Sequence, residues 1–138
     1  DRTKVDAFRE KINGYAKAVL NGKALLPCIA ADCELRGRHL NEAVAKSLDV
    51  LQPYGAGNPQ PVFMIKNMTV QRVSAIGSAG QHLRLSLSKD GCMVGAVAFG
   101  FGGRKDITFG AVVSVMANLE INAFRGVESV QLKIIDIR

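Results

Sequence analysis

The sequence predicts an α+β chain in which N-terminal helices with a short strand lead into a five-stranded β-barrel. Three observations carry this. Apolar residues near the N-terminus recur at helical spacing, those in the second half alternate strictly, and a proline- and glycine-rich segment separates the two patterns.

Val5, Phe8, Ile12, Tyr15 and Val19 recur at three and four residues and predict a helix, with Thr3 as its N-cap and Asn21-Gly22 as its stop. Gly14 inside it costs about 1 kcal/mol relative to alanine, so this helix is expected to lean on neighbours. Pro27 to Leu35 is a short apolar run that reads as a strand. Leu40, Val44, Leu48 and Leu51 return to helical spacing, with Asn41 as a cap. Gln52 to Pro61, QPYGAGNPQP, then holds three prolines and two glycines. Proline forbids helix continuation, so this segment is an ordered turn or linker. The expected organisation is a helical lead-in over 1–52, a Pro/Gly loop over 53–61 and a barrel over 62–138.

Five strand signals follow the loop. Val62 to Ile76 is a long β-branched run, enough for a strand that bends partway. His82 to Ser88 alternates, with Leu83, Leu85 and Leu87 on one face and His82, Arg84, Ser86 and Ser88 on the other. Asp90-Gly91 is a hairpin signal leading into Met93 to Phe99. Ala111 to Asn122 alternates again, and Phe124-Arg125-Gly126 turns the chain into Val127 to Ile137. This order and spacing suit an OB-type Greek-key β-barrel. A small barrel of another topology stays open at this point, because counting strands does not fix their connectivity.

At 138 residues the chain suits one domain with a helical extension. It carries a net charge of +6, with nine basic and seven acidic residues over 1–60 and nine and five over 61–138. The more basic second half favours a polyanionic partner. No apolar run reaches the ~20 residues of a membrane span, and no secretory signal pattern opens the chain. Three cysteines with two histidines do not supply the ligand pairs of a structural zinc site; buried free thiols in a reducing cytoplasm are expected instead. The chain opens at Asp1 directly on a helical pattern, which reads as a piece of something longer.

Hydrolytic chemistry needs clustered carboxylates and histidines. Here Asp90, Asp106, Glu120, Glu128 and Asp136 are scattered singly, and Ser74 and Ser88 have no local histidine partner. Gly100 to Lys105 matches neither glycine-rich phosphate-loop spacing. No catalytic or metal-binding residue is therefore assigned. A single-strand-binding surface needs less: cations for the backbone and something flat for the bases. His82 and Arg84 share one face of their strand, Arg72 lies late in the preceding strand, Lys89 sits by the hairpin, and Arg104 with Lys105 lie on the long connection. These six are the candidate nucleic-acid contacts, each weighed against a plain solvated side chain. His82 could equally anchor the preceding glycine loop. Phe99, Phe101 and Phe124 are candidate stacking platforms, with Phe99 placed where strand-end phenylalanines are more often core.

Leu51 to Phe63, LQPYGAGNPQPVF, resembles an element of the RecJ family of single-strand-specific exonucleases, with the pattern L-x-P-[FY]-G-x-G-N-P-x-P-x-F. Gly80-Gln81-His82-Leu83-Arg84-Leu85 is similar to that family's G-x-H-L-[KR]-L strand, and Ala98-Phe99-Gly100 and Ile135 to Arg138 also match. The resemblance implies an OB domain that holds single-stranded DNA, joined to a two-part catalytic core that uses manganese or magnesium. It implies 5′-to-3′ digestion in recombination and repair, and places 1–20 just after a glycine-glycine-histidine motif of that core. Neither that motif nor an Asp-His-His signature occurs here, so no catalytic role carries over. Tyr54, Gly55, Gly57 and Asn58 carry over as a loop that positions the strand, or as a rigid hinge bracing barrel against core. Two other readings stand beside this one: a module that receives the acidic tail of a single-strand-binding protein, and a residual hydrolase within the chain itself.

Overall fold

The computed structural model describes residues 2–23, 26–124 and 126–138, with the Phe124 side chain left out. A 3-10 turn at Arg2–Lys4 opens into α1, Val5–Leu20. The N-cap position is Lys4, without a side-chain cap, so Thr3 lies one residue too early for the role expected of it. Asn21 ends the helix as expected: it takes a left-handed φ of 43° and its amide donates to the Lys17 carbonyl. No residue of α1 is buried, and its apolar stripe, Phe8 and Tyr15 included, is exposed among the described residues. The neighbours expected to support it are not among them.

The strand expected over 27–35 shrinks to β1, Cys33–Glu34, which runs parallel to the first barrel strand. Asp32 and Leu35 donate to the Val62 and Met64 carbonyls on either side of it. Upstream, Pro27 has no amide to give a ladder, and residues 26–31 form no strand. The expectation of buried thiols is also corrected. Cys28 and Cys33 are exposed and Cys92 is half-buried, all three unbridged. The helix expected over 40–51 is two pieces: α2, Glu42–Ser47, and a 3-10 turn, Leu48–Leu51. Asn41 caps α2 as expected, its Oδ1 accepting from the Val44 amide at 3.0 Å.

The barrel strands are β2 (Phe63–Ile76), β3 (His82–Lys89), β4 (Cys92–Ala98), β5 (Val112–Phe124) and β6 (Val127–Ile137). β2 pairs with β3, β3 with β4, β4 with β6, β6 with β5, and β5 back with β2, closing the ring. All these pairs are antiparallel except β4–β6, which is parallel. That single parallel pair, with a crossing connection from β4 to β5, is the five-stranded Greek key of an OB barrel. One long strand serves two neighbours because β2 bends: register shifts fall at Ile65/Met68, where Asn67 has φ 53°, and at Val70/Arg72.

Alternation fills the interior. Ile65, Met68, Val70, Leu87, Val115, Leu132 and Ile137 are the largest fully buried side chains. Ile107, from the β4–β5 connection, joins this core at one end. At the hairpin end Leu35, Leu40 and Ala45 join it, so part of the lead-in shares the barrel's core. Gly37 permits this closure. Its amide donates to Asp90, and a Cβ there would collide with the Lys89 carbonyl.

Candidate nucleic-acid interface

Residues paired directly across neighbouring strands project from the same face. The register therefore builds the outer surface row by row. Ser74 on β2, Arg84 on β3, Val97 on β4 and Lys133 on β6 form one row. Arg72, Ser86, Gly95 and Gln131 form the next. With strands about 4.8 Å apart, Arg84 and Lys133 flank Val97 at roughly 10 Å across the face. Between them Val97 is covered by its surroundings, only 8% exposed, whereas Gly95 in the next row has no side chain and empty space where a Cβ would stand. A glycine inside a paired strand weakens it, and such positions often mark close approach of a ligand or another backbone.

The three cations of this face have no ion-pair partner among the described residues. Elsewhere Lys46, Lys66 and Arg138 are each engaged by a carboxylate. Glu34, held by its hydrogen bond from Lys66, is pulled below the usual carboxylate range, and Lys46 is pushed up by Glu128. Those charges are committed to the fold; Arg72, Arg84 and Lys133 are not.

One end of the face carries two rings. His82 and Phe99 meet edge to face, 5.1 Å between centroids at 73°. The Gly100 amide donates to His82 Nδ1 at 2.9 Å, so His82 anchors the connection after β4, not the glycine loop before β3. That connection is stitched to the β2–β3 turn: Gly102 donates to the Gln81 carbonyl, and a Cβ on Gly102 would strike the Gly80 carbonyl. Phe99 stands 55% exposed at this end, whereas Phe101 packs partly buried against the core. The Phe124 side chain lies outside the described residues.

The Pro/Gly loop borders the opposite flank. It is tied internally by Gly55 and Asn58, whose amides and carbonyls pair at 2.8 and 3.1 Å. Tyr54 donates its hydroxyl proton to the Leu48 carbonyl, and Asn58 Nδ2 donates to those of Leu51 and Pro53. Farther along, Asn118 Nδ2 donates to the Pro61 carbonyl and Gln60 donates to Glu120. Asn118 and Glu120 are the register partners of Lys133 and Gln131, so this arm lies one strand from the face.

The other candidates lie off these rows. Lys89 has the inward parity of Leu83, Leu85 and Leu87, and its Nζ is 3.8 Å from Asp90. Arg104 forks onto both oxygens of Asp106 at 2.8 and 2.7 Å and donates to the Ile137 carbonyl, pinning the connection to the end of β6. The Arg104 hydrogen bond, seconded by the residue's own amide, pushes Asp106 down to about 2. Lys105 is exposed beside it.

Residues 31–136 match the family described as the RecJ OB domain. The chain belongs to that family. It is 23% identical over 133 residues to the single-stranded-DNA-specific exonuclease RecJ of Bacillus subtilis (strain 168), covering 96% of this chain and 17% of that protein. It is similar in structure to RecJ of Thermus thermophilus in complex with Mn2+, at TM-score 0.74 and 25% identity over 100% of this chain and 19% of that one. The Mg2+ complex of the same protein gives 0.73 and 25%, covering 100% of this chain and 20% of that one. The chain thus spans about a fifth of the length of these RecJ proteins.

Two further features of this RecJ OB domain bear on its chemistry. Among the described residues no group of three or more His, Cys, Asp or Glu side chains stands together to hold a metal ion, so the donor set does not fit the Mn2+ or Mg2+ of the relatives. Among the described residues, no helix is long and apolar enough to cross a membrane. Sequence reasoning missed Gly95, Gln131 and Lys133. Their alternation with buried neighbours was visible, but their place beside Arg84 depends on the parallel β4–β6 pairing.

Proposed function

We propose that this domain grips single-stranded DNA for a RecJ-type, 5′-to-3′ single-strand-specific exonuclease that acts in DNA recombination and repair in the cytoplasm. Bond cleavage and its manganese or magnesium belong to another part of the parent chain. The observation that carries the reading is the open floor at Gly95, flanked by Arg72, Arg84 and Lys133 without carboxylate partners among the described residues. Unpaired cations on either side of a strip opened at Gly95 supply a track for one phosphate backbone. The separation of roughly 10 Å between the Arg84 and Lys133 strands suits one polynucleotide strand lying along β4. The Tyr54–Asn58 loop serves as a preorganised border that positions the strand. Arg104 contributes by fixing the connection, and Lys89 and Lys105 act from the periphery.

The test is a titration of labelled oligo-dT at low salt with the wild type, Arg84→Glu and Gly95→Val. The wild type binds at micromolar or weaker affinity, and each variant loses about tenfold or more. Gly95→Val is informative because its added Cβ meets nothing and valine suits a strand, so the melting temperature holds while the floor is filled. Absence of oligo-dT binding together with binding of an acidic peptide would replace this reading with the acidic-tail module. Nuclease activity of the purified chain in manganese would instead place hydrolysis within it.

A further inference from the structure

We infer that Phe99, braced by His82, is a stacking post for an unpaired nucleobase, so that the face selects a strand bearing bases over a bare chain of phosphates. This rests on the single-strand reading above and adds a second recognition element to it. Phe99 is the first residue past β4, and its contact with His82, which shares the outward parity of Arg84 on β3, places its ring at the end of the same strip. It is a large aromatic residue left 55% in water, and its contact with His82 holds it edge to face. Gly100, which follows it, takes a left-handed φ of 82° that turns the chain away directly after the ring.

The ring is also held in place before any ligand arrives. The Gly100 amide can only donate, so His82 Nδ1 must accept and the neutral ring carries its proton on Nε2. No described residue accepts from that Nε2, which leaves a donor beside the Phe99 ring. Gly102 pressed against the Gly80 carbonyl keeps the connection from swinging away. A platform fixed in advance loses little conformational freedom on binding, and base-on-aromatic stacking tolerates any base because each has a π-face.

The experiment compares oligo-dT with an abasic deoxyribose-phosphate strand of equal length, by equilibrium binding to the full chain. The wild type prefers oligo-dT by about tenfold, within the range expected for stacking. Phe99→Ala removes that preference while its affinity for the abasic strand is unchanged; Phe99→Tyr keeps it. His82→Leu, which deletes the acceptor for Gly100, behaves like Phe99→Ala, whereas His82→Asn, which restores an acceptor, recovers most of the preference. Equal losses of Phe99→Ala on both strands, or no loss on either, would overturn the stacking post. Failure of His82→Asn to recover would remove His82 as its brace. If the wild type binds both strands equally and Arg84→Glu weakens both, the single-strand reading stands and the post falls; if the wild type binds neither, the reading beneath it falls.

Discussion

Lys133 on β6 stands in register with Val97 on β4, and that parallel pairing sets a cation from near the end of the chain two strands from Arg84. The consequence is electrostatic. Each phosphate neutralised on a single strand contributes about −0.7 to the slope of log affinity against log salt. Lys133→Ala is expected to flatten that slope by about 0.7 with oligo-dT. Lys66→Ala, whose cation is held 2.7 Å from Glu34, is expected to leave it unchanged. Anisotropy titrations across a salt series measure both.

A second prediction separates binding from folding at Arg104. Its guanidinium is committed to Asp106 and the Ile137 carbonyl, so Arg104→Ala is expected to lower the melting temperature by about 2–5 °C. Oligo-dT affinity measured well below melting is expected to fall by less than about threefold.

The same pair gives a pH dependence. Asp106 is pushed down to about 2 in the folded chain, from about 3.9 when unfolded. A depressed carboxyl binds more protons unfolded than folded, so its stabilisation is present above pH ~4 and is lost as pH falls through ~2. The stability difference between the wild type and Asp106→Asn, measured by denaturant unfolding, is expected to be constant from pH 7 to 5 and to shrink between 4 and 2.

In the interior, Leu132 is 0% exposed between Gln131 and Lys133. Leu132→Ala is expected to cost about 2–5 kcal/mol in urea unfolding, through lost transfer energy and the cavity left behind. Val112→Ala, at a residue 64% exposed, is expected to change stability by less than about 0.5 kcal/mol.

The barrel strands were legible because their interiors obey a period of two: Leu83, Leu85 and Leu87 point inward, and His82 and Arg84 follow onto the other face. Arg72 could be added because β2 and β3 are neighbours in sequence and fold as a hairpin. Lys133 could not, since the pairing of β4 with β6 skips β5 and is decided by barrel closure. The run 27–35 misled because an apolar stretch without alternation does not reveal whether a partner strand awaits it. Arg104 showed its charge in the sequence but not its acceptor, a carbonyl 33 residues away. Phe99 was easy to place in the core by its neighbours' hydrophobicity, whereas it stands one residue past β4 with its ring 55% exposed.

Amide chemical-shift mapping during an oligo-dT titration addresses the interface most directly. Shifts concentrated at Arg72, Arg84, Ser86, Gly95, Val97 and Lys133 are the predicted result. Shifts confined to the cleft of about 700 Å³ lined by Pro27, Met64, Ser114 and Met116, with the β3–β4–β6 rows silent, would contradict it.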